Sequence, residues 1–89
     1  MKKLERLLKA LANRRRIEIL RYLSKHERAT VGVVSEYIKL SFKSTSKHLN
    51  LLKSVEAIES EQVGLSVHYS LLRPPQEIVK VIIESNLIK

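Results

Sequence analysis

The chain has 89 residues, 44% hydrophobic and 29% charged, with only two Gly and two Pro; this is the composition of one folded domain rather than of a disordered or repetitive segment. The absence of Cys excludes a disulfide framework, a thiolate metal site and a thiol nucleophile. Lys and Arg number 17 against 9 acids, a formal charge of +8 that favours a polyanionic partner, and at this size a second copy of the chain would help to complete the core.

The first predicted element is a helix in "KKLERLLKALA", where Leu4, Leu7, Leu8 and Leu11 recur at helical spacing opposite Lys, Arg and Glu. Asn13 then reads as the N-cap of a second helix, "RRRIEILRYLSKH", with Ile17, Leu20 and Leu23 inward. The arginines Arg14 to Arg16 oppose the helix dipole, so a nearby anion would explain them as well as plain solvent exposure does. "KHERAT" ends this helix. Thr30 is the predicted cap of a short third one that buries Val34, Tyr37 and Ile38, although the β-branched run Val31 to Val34 weakens its start. No apolar run reaches the roughly 18 to 20 residues of a membrane span, and the arginines interrupt any leader-like segment, so the chain is expected in the cytoplasm, on the nucleoid.

Ser41 to Asn50, "SFKSTSKHLN", is polar enough to read as a loop. The stripe Phe42, Thr45, Leu49 and Leu52 makes it a helix instead, over about 42–54, capped by Ser41 and roughly 20 Å long at 1.5 Å per residue. Its outward face is Lys43, Ser44, Ser46, Lys47 and Asn50. From Tyr37 to Val55 the charged residues are Lys39, Lys43, Lys47 and Lys53, with no acid. In "IESEQVGLSVHYSLL" the period changes: Val67, Tyr69 and Leu71 alternate with polar residues, and Gly64 turns the chain back toward a strand near 58–62, giving a hairpin over about 58–72. "RPP" breaks the chain, with Pro75 suited to the first turn of a last helix over about 75–88. That helix carries Ile78, Val79, Val81, Ile82, Ile83, Leu87 and Ile88, a band too wide for one neighbour; it is expected either at the centre or against a second chain.

The fold class is therefore mainly α with a β-hairpin wing, in the order α-α-α-α-β-β-α: a single winged helix-turn-helix domain over 1–89, with the turn at Lys39 to Ser41 and the helix after it placed to enter a DNA major groove. With that order in place, the segment from about Leu8 to Leu72 resembles the ArsR-type winged-helix repressors. "LKALANRRRIEILRYL" is similar to the family's opening helices, "VVSEYIKLSFKSTSKHLNLLKSVEAI" to its helix-turn-helix, and "VHYSL" to its second wing strand. The resemblance implies a homodimeric, sequence-specific transcription regulator. Its dimer interface would be formed by the first and last helices, here through Leu4, Leu7, Leu8, Leu11, Ile78 and Ile82. The sequence departs from the family at the metal-sensing cysteines, which are Thr30 and Gly32 here, and the last helix has neither His nor Asp. The usual Gly after the recognition helix is Glu56, and no Lys or Arg lies between the wing strands.

The residues expected at DNA are Phe42, Lys43, Ser44, Ser46, Lys47, Asn50 and Arg15. Small side chains let a helix backbone approach a groove about 12 Å wide, hydroxyls and amides can meet base edges, and cations meet phosphate or guanine. Phe42 suits either a core anchor or a contact with the thymine methyl. His26, His48 and His68 share no ligand spacing, so no metal and no cofactor is indicated. With no Asp, no Gly-rich phosphate loop and no cleft-forming pair of carboxylates, an enzyme is not expected. The expected partners are double-stranded DNA and a second copy of the chain, with no membrane; a small-molecule effector is compatible with the sequence but not indicated by it. The reading is a transcriptional repressor of a palindromic operator. Its rivals are a winged-helix protein-interaction module, suggested by Glu59 and Glu61 in the wing, and a nonspecific DNA-coating protein.

Overall fold

Five helices and one hairpin follow in the order α1 (Lys2–Leu11), α2 (Arg14–Lys25), α3 (Val31–Ile38), α4 (Phe42–Ser54), β1 (Ile58–Val63), β2 (Ser66–Leu71) and α5 (Glu77–Glu84). The structure, a computed structural model, describes residues 1–85. Side chains fix the starts of α2, α3 and α4: Asn13 Oδ1 accepts from the Arg16 amide at 3.1 Å, Thr30 Oγ1 from Val33 at 3.4 Å and Ser41 Oγ from Ser44 at 3.1 Å. Each satisfies a backbone donor that the first helical turn would leave without a partner.

The ends of α3 and α4 share one device. Lys39 takes φ 56° and Glu56 φ 61°. In α3 the Lys39 amide donates to Glu36 and the Leu40 amide to Ser35; in α4 the Glu56 amide donates to Lys53 and the Ala57 amide to Leu52. These are paired Schellman bonds around a left-handed residue, a position that ordinarily favours Gly. The first of them compresses the α3–α4 turn to Lys39, Leu40 and the capping Ser41.

Helix α2 lies at the centre and packs against α1, α3, α4, α5 and β2. Ile17, Leu20 and Leu23 are buried as their spacing predicts, and so is Ile19, which lies outside that stripe. A helix surrounded by neighbours needs more than one apolar face, which explains the difference. The core is completed by Val34 and Ile38 of α3, Leu49 and Leu52 of α4, and Ile58, Tyr69 and Leu71 of the hairpin.

Tyr37 is not buried: it is 56% exposed, with its ring against that of Tyr22 at a centroid separation of 4.6 Å. The strands pair antiparallel from Ile58↔Leu71 to Val63↔Ser66 around a turn at Gly64 (φ 62°), but only the base of the ribbon alternates in burial, and Val67 in the outer half is exposed. The backbone of Gln76 has ψ 147°, outside the helical region, so α5 begins at Glu77 and Pro75 is not in its first turn. The helix ends at Glu84, where Ser85 is extended with ψ 135°, short of the expected residue 88; Leu87 and Ile88 lie outside the described residues.

Candidate nucleic-acid interface

Helix α4 is held by its inner face. Thr45, Leu49 and Leu52 are fully buried against α2, α3 and β1, which aims the opposite face away from the core. On that face Lys43, Lys47 and Asn50 are exposed, and Ser44 and Ser46 are half-buried. Phe42 departs from the stripe that predicted the helix, being 64% exposed. Helical side chains lean toward the N-terminus, and in the first residue of a helix that direction leads off its end rather than onto a preceding turn.

The arginine triplet has a different explanation from the one its dipole conflict suggested. A guanidinium nitrogen of Arg15 donates to the carbonyl of Ile38, at the last turn of α3, and lies 3.6 Å from Glu18. Arg16 donates through Nε to the Ala10 carbonyl at 2.6 Å and through Nη2 to that of Lys9 at 3.4 Å, both in the last turn of α1. The partial negative charge they meet is thus the C-terminal end of two other helices. Arg15, expected at DNA, ties the start of α2 to the end of α3 with its side chain still 41% exposed, whereas Arg14 is exposed and makes no hydrogen bond or ion pair among the described residues.

Arg16 also reaches the recognition helix. Its Nη1 lies 3.2 Å from His48 Nδ1. A guanidinium only donates, so Nδ1 accepts and the proton of the neutral ring sits on Nε2. Partial burial, followed by the charges of Arg16 and Arg15, holds the His48 imidazole below its ordinary value. His26 bonds the Tyr22 carbonyl at 2.8 Å and stacks on that ring, and among the described residues no three His, Cys, Asp or Glu side chains group where they could hold a metal ion. At the start of α3, Thr30 spends its oxygen on the cap and Gly32 has no side chain, so the position where the resembling family binds metals does not fit one.

Sequence reasoning also missed a contact at the wing. Ala29 and Tyr69 exchange backbone hydrogen bonds of 2.9 and 2.8 Å, tying the α2–α3 connection to β2. The adjacent Arg28 consequently lies 3.8 Å from Glu61 of β1. A cation distant in sequence therefore partly offsets the acidity of the wing.

The expected dimer residues divide into two groups. Leu7 and Leu11 belong to the core of the chain itself, and Ile78 and Ile82 pack partly against it. Leu4 and Leu8 remain 48% and 45% exposed, and on α5 so does Val81. At about 100° per residue the four leucines of α1 span two surfaces, and the buried side is the one toward Leu7 and Ala10. Leu4, Leu8 and Met1 line an open, almost wholly apolar hollow. None of the described helices is long and apolar enough to cross a membrane.

No family model matches the chain. It is 35% identical over 65 residues to the transcriptional repressor SdpR of Bacillus subtilis, which covers 73% of this chain and 71% of that protein. Reduced HlyU of Vibrio cholerae superposes with a TM-score of 0.77 at 34% identity, over 93% of this chain and 83% of that one. The homodimeric winged helix-turn-helix DNA-binding domain of Mb0332 from Mycobacterium bovis, described as a possible ArsR-family transcriptional regulator, superposes with a TM-score of 0.78 at 25% identity, over 91% and 72%.

Proposed function

The chain belongs to the ArsR-type family of winged-helix transcriptional regulators, and from that premise we propose that it is a homodimeric repressor whose two α4 helices enter successive major grooves of a palindromic operator. In this reading residues 1–89 act as one domain, with α4 as the reader and the hairpin as the wing, and the role is binding rather than catalysis. The observation that carries it is the outer face of α4: Lys43, Lys47 and Asn50 exposed, Ser44 and Ser46 beside them, and no acid between Tyr37 and Val55. Cations there meet phosphate or guanine, while hydroxyls and the amide meet base edges. Exposed Leu4, Leu8 and Val81 supply apolar surface for a second copy, which would set the recognition helices on half-sites about 34 Å apart.

Gel-shift titration against a pool of duplexes tests the reading. Binding at low salt that weakens linearly with the logarithm of salt concentration is expected. Lys47→Ala should weaken binding and lower the slope by about one, as loss of a single phosphate contact does. Absence of binding, or binding independent of salt, contradicts the proposal.

A further inference from the structure

Phe42 is 64% exposed at the first position of α4. It borders a cleft of about 450 Å³ lined by Phe42 and Ser46 of α4, by the start of α3 at Thr30 to Gly32, and by the wing, including Leu65 and Val67. Lys39, Lys43 and Lys47 are exposed around the N-terminal half of α4. An exposed aromatic at the start of a helix that also carries exposed lysines fits an apolar group borne by a polyanion. In the major groove a DNA duplex presents one such group, the 5-methyl of thymine.

We propose that Phe42 is a specificity-determining residue that packs on the 5-methyl group of a thymine, so that each half-site requires thymine beneath the N-terminus of α4. Ser46, four residues on and therefore on the same ridge of the helix, is placed to meet the polar edge of that base pair. Asn50, a further four residues along, suits the adenine edge of a following pair. This inference rests on the proposed reading of DNA by α4 and assigns that site its base preference.

The test uses the full chain and the duplex most enriched by selection from a random library. Each thymine of the half-site is replaced in turn by uracil, which removes the methyl group and leaves the pairing and the O4 acceptor in place. Fluorescence anisotropy titration should find one position in each half-site at which uracil weakens binding by about fourfold, the factor that burial of one methyl group supplies. Phe42→Ala, a change at an exposed residue that leaves the core intact, should bind the thymine and uracil duplexes equally at that position with an unaltered salt slope. Phe42→Leu should keep part of the discrimination. An enriched duplex that shows no uracil effect, or an effect that survives Phe42→Ala, overturns the assignment of Phe42 alone. Failure to enrich any duplex overturns the operator-reading proposal, and this inference with it.

Discussion

The recognition helix and the wing both project polar side chains, but they are anchored differently. Helix α4 is clamped along its length by Thr45, Leu49 and Leu52, so the positions of Lys43, Lys47 and Asn50 are set by the core. The hairpin is fixed at its base by Ile58, Tyr69 and Leu71 and by the Ala29–Tyr69 bridge, whereas Leu65 and Val67 toward its tip are exposed. Readout that depends on a fixed register suits the first element. A contact needing only charge or contour suits the second.

Leu49→Ala should cost about 2 to 5 kcal/mol, the usual range for a buried leucine, whereas Val67→Ala in the outer wing should cost under about 1 kcal/mol. Urea unfolding of the two variants checks this, and equal losses would show that the wing is as tightly held as the helix. If the wing approaches DNA, Glu61→Lys should tighten binding and steepen the salt dependence by about one to two contacts, since it both adds a cation and releases Arg28. An unchanged slope would place the wing away from the duplex and return weight to a protein-interaction role for it.

A smaller effect is expected where α4 ends. Glu56 at φ 61° bears the steric penalty of a left-handed side chain, so Glu56→Gly should stabilise by roughly 0.5 to 1 kcal/mol, because relief of strain exceeds the added freedom of the unfolded chain. A lower urea midpoint for that variant would contradict the account of the helix end. The smallest effect concerns His48. Its folded-state pKa lies below the ordinary value of 6.5, so the unfolded chain binds more protons between the two values. The stability this group contributes is therefore fully present above about pH 6.5 and is lost as pH falls below it. Thermal unfolding from pH 7.5 to 5 should show a decline that is shallower in His48→Asn; parallel curves would remove the Arg16–His48 contact as its source.

The element order and the caps at Asn13, Thr30 and Ser41 are legible in the sequence because they depend on local spacing and on side chains near their own backbone. Exposure at the ends of stripes is not. Phe42 and Tyr37 share a helical face with buried residues, yet both are mostly exposed. Leu7 and Leu8 are neighbours in one stripe, but one enters the core and the other stays in solvent. The triplet Arg14 to Arg16 illustrates the same limit for charge: its conflict with its own helix dipole is visible in sequence, while the carbonyls of Ala10 and Ile38 that resolve it are brought near only by the fold. Arg28 beside Glu61 depends on a strand pairing across some forty positions, for which no local pattern exists.

The central claim is that α4 reads a particular sequence rather than merely coating DNA. Competition titration of the most enriched duplex against a scrambled duplex of the same composition, at physiological salt, tests it most directly. A selected duplex bound at least about a thousandfold more tightly, with two chains per duplex, is the predicted result; equal affinities for the two duplexes would contradict it.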